Sequence, residues 1–167
     1  MARLFVALWP PEHVTEELRS LHRKDQRGVR FVPPENWHIT LRFLGEAHVD
    51  HVVETLDALT LPSAHARLGP AVDVLAERAL VVPVAGVDEL AQVVIAATRE
   101  IGERPPKRFV GHITLARVKA RVPMPRVLGA MVGAEFDVTE VALVQSRLHP
   151  HGARYETVHT WPVPAAG

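Results

Sequence analysis

The sequence contains no cysteine among its 167 residues. Disulfide frameworks, thiolate catalysis and cysteine-based zinc sites are therefore excluded, and the absence fits a reducing cytoplasm. An excess of one charge is also absent, because 19 Lys and Arg side chains balance 19 Asp and Glu side chains. The chain thus has no global positive field with which to wrap a long nucleic acid.

Long hydrophobic runs and the best-known nucleotide and hydrolase motifs are missing too. The apolar N-terminal stretch is too short for a membrane span, ends at Pro10 and Pro11, and lacks a secretory cleavage pattern. There is no G-x-x-x-x-G-K-[ST], no G-x-G-x-x-G and no G-x-S-x-G motif, so nothing supports a nucleotide-driven or serine-hydrolase mechanism. We expect a soluble, cytoplasmic protein in which residues 1–167 form one domain, with no membrane association.

Hydrophobic periodicity predicts an α+β fold. Predicted strands cover about 3–8, 29–32, 37–44, 67–76, 79–85 and 109–118, followed by a hairpin of about 136–148 and 154–161. Helices are predicted after Pro10-Pro11, over 49–59, from a cap at Asp88 to Gly102, and near 124–132. Each half therefore has a helix before a strand that carries the motif described next. The pattern indicates a bilobal domain of two pseudo-symmetric antiparallel-sheet lobes, with outer helices and a central cleft.

One tetrapeptide, His-Ile-Thr-Leu, occurs twice, at 38–41 and at 112–115, and both copies lie in predicted strands. Successive side chains of a strand point to opposite faces, so His38 shares a face with Thr40, and His112 shares one with Thr114. The apolar residues between them turn towards a core. Two such strands can direct two imidazoles and two hydroxyls at one point.

Two imidazoles and two hydroxyls at one point suit acid–base chemistry on a phosphate. Histidine has an ordinary pKa near 6.5, so one copy can act as a base while the other acts as an acid. Thr40 and Thr114 can each donate a hydrogen bond to a phosphate oxygen. The motifs are identical, so the residues alone leave open which of His38 and His112 is the acid.

A basic stretch surrounds the second motif. Residues 104–134 contain no acidic side chain and seven basic ones: Arg104, Lys107, Arg108, Arg117, Lys119, Arg121 and Arg126. An ordinary solvated surface is one interpretation. The coincidence with a candidate phosphate site favours the other, an anion-attracting rim.

Two arginines follow the motifs. Strand alternation puts Arg42 on the face of His38 but puts Arg117 on the face opposite to His112, unless a bulge or the end of the strand intervenes. Either could bind phosphate, and the sequence does not choose between them.

Other histidines and the aromatic residues have more ordinary interpretations. A metal site could use His48 with His51 or His149 with His151, but their spacing matches no known metal motif, and we expect exposed side chains. The aromatic residues Trp37, Phe43, Phe109 and Tyr155 could stack on a base, although core packing is expected for most of them.

The paired motifs resemble those of the two-histidine phosphoesterases. The sequences that flank the motifs are similar to those of the RNA 2′,3′-cyclic phosphodiesterases, also called 2′-5′ RNA ligases. The matching blocks are RLFVAL at 3–8, VPPENWHITLRFLGE at 32–46, HITLAR at 112–117 and GARYE at 152–156. They run over almost the whole chain. Gly111 departs from the pattern, since the family usually has proline before the second histidine, and we expect a looser start to that strand.

The resemblance implies a bilobal α+β fold and hydrolysis of RNA 2′,3′-cyclic termini to 2′-phosphates, with reverse 2′-5′ ligation allowed. It implies His38 as proton donor, His112 as proton acceptor, and phosphate binding by Thr40, Thr114 and Arg117, with neither metal nor other cofactor. The expected partners are RNA ends or short oligonucleotides, and a monomer is expected. The alternatives are a phosphodiesterase acting on small cyclic nucleotides or 2′-5′ oligonucleotides, and a non-catalytic module that binds RNA ends.

Overall fold

Ten strands, three α-helices and a short 3₁₀ helix at Pro34–Asn36 make up the computed structural model, which describes residues 1–76 and 78–167. The first half contains β1 (Ala2–Leu8), α1 (Glu12–Arg19), β2 (Val29–Phe31), β3 (Ile39–Ala47) and α2 (Val49–Asp57). The middle contains β4 (His65–Leu68), β5 (Asp73–Leu75), β6 (Ala79–Ala85), α3 (Asp88–Ala97) and β7 (His112–Val118). The chain ends with β8 (Ala134–Asp137), β9 (Glu140–His149) and β10 (Gly152–Pro162).

The strands pair in the order β10-β9-β1-β3-β7-β6-β4-β8, with β2 added beside β7 and β5 beside β6. Every pairing is antiparallel. The two motif strands, β3 and β7, lie next to each other at the centre of this order, with matching numbers of strands on either side. The predicted α+β architecture with antiparallel sheets is confirmed, and its two halves meet where the two motifs lie.

The helices cover the sheet because each carries one apolar stripe. Helix α1 buries Val14 and Leu18, α2 buries Val52 and Leu56, and α3 packs against β3. Fully buried side chains from both motif strands contribute to the same core. The histidines and threonines of the two motifs therefore lie on the opposite face of the sheet, away from this core.

Most predicted elements are present, with local differences. The segment 67–76 forms two short strands, 65–68 and 73–75, and residue 88 begins α3 without a side-chain cap, since the cap position is Val87. Helix α3 also ends before residue 102.

The predicted helix near 124–132 is wrong. The backbone there pairs with another segment, because Gly129 N–H donates to Val72 O at 3.0 Å and Val72 N–H donates to Ala130 O at 2.9 Å. Pro125 and the left-handed Gly129, with φ of 86°, also disfavour a continuous helix.

None of the helices in the described part of the chain is long and apolar enough to cross a membrane.

Candidate active site

The two His-Ile-Thr-Leu motifs meet at one point of the sheet. Ile39 of β3 pairs with Ile113 of β7 in antiparallel register, so the residues on either side of them are related by an approximate twofold axis. The histidines and threonines of both motifs line one cavity of about 380 Å³. The sequence-based expectation that two strands direct four polar side chains at one place therefore agrees with the geometry.

Both histidines are held by the same kind of backbone contact. His38 Nδ1 lies 2.7 Å from Asn36 O, and His112 Nδ1 lies 2.7 Å from Val110 O. A carbonyl oxygen only accepts hydrogen bonds, so each Nδ1 carries a proton and donates it. In the neutral imidazoles Nε2 is then the unprotonated nitrogen, and the same backbone contact fixes this tautomer in both halves.

Thr40 is positioned to contact the first of these nitrogens. Its Oγ1 lies 2.9 Å from His38 Nε2, and in neutral His38 the hydroxyl donates to this nitrogen. Thr114 lines the cavity on the other motif strand. Both threonines are half-buried, which keeps their hydroxyls accessible from the cavity.

An aromatic box surrounds His38 and distinguishes it from His112. The box consists of Phe5, Trp9 and Tyr155, whose ring centroids lie 4.8, 5.8 and 5.4 Å from the His38 ring. Burial lowers the pKa of His38 below its ordinary value of 6.5, and the nearby His112 lowers it further, although the hydrogen bond to Asn36 opposes both effects. In the free protein, His38 is therefore biased towards the neutral form.

A bulge in β7 brings Arg117 into the site. Thr114 lies opposite Val81 of β6, whereas Ala116 lies opposite Leu80, so Leu115 is the extra residue. The extra residue reverses the alternation, and Arg117 returns to the face that carries Thr114. Its side chain lines the cavity. Regular alternation had put Arg117 on the wrong face, and the bulge is the physical reason for the difference.

A bulge in β3 has the opposite consequence for Arg42. Thr40 lies opposite Ala7 of β1 and Arg42 lies opposite Val6, so Leu41 is the extra residue. Arg42 consequently points into the core, where it is only 2 % exposed. The prediction that Arg42 shares the face of His38 is therefore wrong, and this arginine does not line the cavity.

The buried Arg42 guanidinium ties β3 to the end of α3. It donates to Thr98 Oγ1 at 3.1 Å, Thr98 O at 3.1 Å, Ile101 O at 2.8 Å and Phe43 O at 2.8 Å. Burial lowers its pKa, as does the nearby Arg99, while Glu103 raises it. Arginine stays charged in proteins, so these four acceptors hold a buried cation.

The position equivalent to Arg117 in the first motif is occupied by Phe43. Both residues are fifth after their histidine, both follow a bulge, and both line the cavity. Phe43 is 38 % exposed, and the Arg3 guanidinium lies 4.9 Å from its ring centroid. The site is thus symmetric in its histidines and threonines and asymmetric at the fifth position after each histidine, which is an arginine in one motif and a phenylalanine in the other.

The remaining candidate residues divide as follows. Trp37 is buried in the core and Phe109 packs against it, whereas Phe43 and Tyr155 line the cavity. The histidines at 48, 51, 149 and 151 are exposed, as expected. Of the seven basic residues in 104–134, Arg117 alone contributes to the described lining of this cavity.

Sequence reasoning missed several cavity residues because they come from distant strands. Arg3 and Phe5 belong to β1, and Ser146, Leu148 and Ala153 belong to the β9–β10 hairpin. Asn36 fixes His38 through its carbonyl, and its Nδ2 donates to Ala153 O at 3.2 Å. Alternation of Arg3, Phe5 and Ala7 along β1 was the one local signal for a second face there.

Gly111 is packed tightly just before the second motif. A Cβ atom at this position would lie 2.4 Å from Val84 O, and Val84 N–H donates to Gly111 O at 2.9 Å. Proline or alanine would collide with the β6 backbone. This close approach accounts for glycine here, and it does not fit the looser strand start expected from the sequence.

Taken together, the cavity offers two imidazole Nε2 atoms, two threonine hydroxyls and the guanidinium groups of Arg117 and Arg3. An anion with a tetrahedral centre could be held by the hydroxyls and Arg117 while the two imidazoles face it from opposite motifs. One imidazole can then accept a proton and the other donate one. Acid–base cleavage of a phosphate ester fits this arrangement.

Sequence comparisons give a consistent picture. Residues 8–68 match the model of the LigT-like phosphoesterases. A Thermus thermophilus protein named RNA 2′,3′-cyclic phosphodiesterase is 36% identical over 175 residues, which cover 92% of this chain and 86% of the relative. A Methanocaldococcus jannaschii protein of the same name is 24% identical, over 95% of this chain and 99% of its own length.

Solved structures show the same fold. The crystal structure of a Thermus thermophilus protein superposes with a TM-score of 0.78 at 31% identity, covering 99% of this chain and 100% of its own. Escherichia coli LigT in complex with 3′-AMP superposes with a TM-score of 0.77 at 25% identity, covering 97% of this chain and 98% of its own. The likeness extends over nearly the full length of each chain.

Proposed function

The chain belongs to the LigT-like phosphoesterase family, and we propose that it hydrolyses the 2′,3′-cyclic phosphate at the end of an RNA chain to a 2′-phosphomonoester. One observation supports this proposal most strongly: the Ile39–Ile113 pairing brings both motifs to one cavity together with Arg117. The relatives named RNA 2′,3′-cyclic phosphodiesterase supply the substrate class.

The proposed reaction uses both imidazoles. His112 Nε2 accepts a proton from water as the water oxygen attacks phosphorus, and protonated His38 gives its Nε2 proton to O3′ as the P–O3′ bond breaks. The product keeps its phosphate on O2′. The turnover leaves His38 neutral and His112 protonated, and exchange with solvent restores both.

The aromatic box around His38 suits the role of proton donor. A lowered pKa makes the imidazolium the stronger acid, which favours protonation of a departing alkoxide oxygen. It also reduces the protonated fraction in the free protein. The negative charge of a bound cyclic phosphate favours the charged form of His38 and offsets this cost.

Thr40, Thr114 and Arg117 bind the phosphate in this proposal. The two hydroxyls donate to non-bridging oxygens, and the guanidinium offsets the charge that develops on them in the transition state. Hydrolysis then proceeds without a metal ion or another cofactor.

The reaction is tested with an RNA oligonucleotide that ends in a 2′,3′-cyclic phosphate, incubated with the protein in EDTA. We expect turnover by the wild type and a loss of about 10²–10⁴-fold in each of His38→Ala and His112→Ala, the usual contribution of one general acid or base. The exposed His48→Ala serves as the matched control and keeps wild-type activity. Absence of turnover, or equal turnover in the two motif variants and the wild type, rejects the proposal.

The same geometry also supports reverse ligation as part of this proposal. A 5′-hydroxyl can replace water as nucleophile, which forms a 2′-5′ linkage and releases the 3′-hydroxyl. We expect this product only at high concentration of 5′-hydroxyl RNA, because water competes for the same base. Loss of ligation in both motif variants together with hydrolysis would show that one site performs both.

A further inference from the structure

A second cavity of about 400 Å³ continues from the active-site cavity along the same face of the sheet. The two cavities share Arg117, Asn36 and Tyr155 together with Val32, Leu148 and Ala153. The second cavity extends past Arg30 of β2 to the turn of the β9–β10 hairpin. The two cavities thus form one continuous groove that an oligonucleotide could occupy beyond the active site.

Arg30 and Arg117 lie directly opposite each other on paired strands. The register of β2 and β7 sets Arg30 against Arg117, so both side chains lie on the face that carries Thr114. The Cβ atoms of such cross-strand pairs are about 5 Å apart, and like charges in this arrangement destabilise a sheet. A bridging or neighbouring anion would relieve this repulsion.

The groove supplies no anion of its own. Among the described residues that line the two cavities, none is Asp or Glu, and three are arginines, Arg3, Arg30 and Arg117. No carboxylate in the described part of the chain forms an ion pair with Arg30 or Arg117. By contrast, another cross-strand arginine pair, Arg147 and Arg154, has a carboxylate nearby, because Arg147 Nη2 lies 4.0 Å from Glu156.

The surroundings of Arg30 also fit a nucleotide chain. The Arg30 guanidinium reaches the hairpin turn, since a Cβ atom at Gly152 would lie 2.8 Å from its Nη2. Leu148 of the β9–β10 hairpin, which lines both cavities, is 86 % exposed and offers an apolar surface in the same groove. Cationic and apolar contacts in one groove are what the phosphates and bases of a single strand require.

We propose that Arg30 binds the penultimate phosphate of the RNA chain whose terminal cyclic phosphate occupies the cavity of His38 and His112. This inference rests on the proposed function and makes it more specific. The site then distinguishes RNA ends from free cyclic mononucleotides, because a mononucleotide has no phosphate for Arg30. Arg117 contacts the reacting phosphate, and Arg30, one strand further out, contacts the next phosphate.

Two substrates test this inference: adenosine 2′,3′-cyclic monophosphate, and the dinucleotide ApA that ends in a 2′,3′-cyclic phosphate. We expect the wild type to have a higher kcat/KM for the dinucleotide than for the mononucleotide. Arg30→Gln should lower kcat/KM for the dinucleotide about tenfold, equivalent to about 1.4 kcal/mol. The mononucleotide value should stay unchanged. Arg30→Lys should keep part of the preference, and Arg154→Gln, which removes the same charge outside both cavities, should keep all of it.

A neutral linkage isolates the contact. Replacing the internal phosphate of ApA by a methylphosphonate should remove the preference of the wild type and make it insensitive to Arg30→Gln. For the normal dinucleotide, the slope of log kcat/KM against log salt should be more negative in the wild type than in Arg30→Gln by about 0.7, the value for one phosphate contact on a single strand.

The outcomes separate the two proposals. An equal loss on both substrates, no loss on either, or a loss that persists with the methylphosphonate overturns the role of Arg30. If the wild type hydrolyses neither substrate, the proposed reaction fails, and calorimetric binding of ApA 2′-monophosphate to wild type and Arg30→Gln still measures the contact. Equal affinities there also overturn it.

Discussion

The opposite fates of Arg42 and Arg117 give a sharp prediction about stability and activity. In Arg42→Met the buried stem is kept and every donor is lost. The carbonyl oxygens of Thr98 and Ile101 then lose a partner at 3.1 and 2.8 Å, and Thr98 Oγ1 loses another at 3.1 Å. Thr98 is fully buried, so water cannot replace these bonds there.

The size of the effect follows from these contacts. A buried polar group left without its partner costs about 1–3 kcal/mol, and the carbonyl oxygens of Thr98 and Ile101 are two such groups. We expect the free energy of unfolding of Arg42→Met to fall by about 3–5 kcal/mol in total. For a protein of 150–250 residues each kcal/mol lowers Tm by about 2–4 °C, so Tm should fall by roughly 6–20 °C.

Urea and thermal unfolding followed by circular dichroism measure this loss, and kcat/KM is measured well below the transition. Folded Arg42→Met should keep activity within about threefold of wild type. Arg117→Met should show the reverse, with stability changed by less than about 0.5 kcal/mol and activity lowered about 10²–10³-fold. Wild-type stability combined with lost activity in Arg42→Met would refute the assignment of this arginine to the fold.

Three further predictions concern titration and packing. Tyr155→Ala should raise the pKa of His38 towards 6.5 in an NMR titration, because loss of this ring exposes the imidazole to water, whereas Tyr155→Phe should leave the pKa unchanged. An unchanged pKa of His38 in Tyr155→Ala would contradict the role of burial. The pKa of His65 is raised above 6.5 by its hydrogen bond to Asp137 and by Glu135, so its stabilising contribution is full below pH 6.5 and is lost as pH rises through the raised pKa. His65→Gln should therefore lower Tm more at pH 5.5 than at pH 9. An equal fall in Tm at both pH values would count against this role of His65. Gly111→Ala should lower the free energy of unfolding by about 1–3 kcal/mol and reduce kcat, since its Cβ would meet Val84 O; wild-type unfolding and turnover would show that the strand adjusts freely.

The sequence predicted which residues share the face of each motif histidine, because that face depends on local alternation. His38 and Thr40 are two residues apart on a strand, as are His112 and Thr114, and no long-range information is needed to put each pair on one side. Their meeting required only that the two strands be neighbours, which the duplicated pattern of elements suggested.

The arginines could not be assigned in this way, because each lies beyond a bulge. The extra residues Leu41 and Leu115 are set by the registers of β3 with β1 and of β7 with β6, and nothing local to either motif reveals them. Alternation therefore put Arg42 on the face of His38 and Arg117 on the opposite face, whereas the structure has the reverse. From the residues alone either arginine could bind phosphate, and only the family resemblance pointed to Arg117.

The asymmetry of the two histidines was also beyond the sequence. The motifs are identical, but Phe5, Trp9 and Tyr155 enclose His38 from β1, the segment after it and β10. These strands are distant in sequence from the motif, and their contact depends on the complete sheet order. Two identical motifs thus hold their histidines in different surroundings, and burial lowers the pKa of His38.

The identity of the phosphate isomer tests the central claim most directly. ³¹P NMR of a dinucleotide with a 2′,3′-cyclic end, incubated with the protein in EDTA, should show a 2′-phosphomonoester as the accumulating product, formed at least about 10²-fold more slowly by either His38→Ala or His112→Ala. Accumulation of the 3′-phosphomonoester would contradict protonation of O3′ by His38. Undiminished hydrolysis in either histidine variant would contradict the paired acid–base mechanism itself.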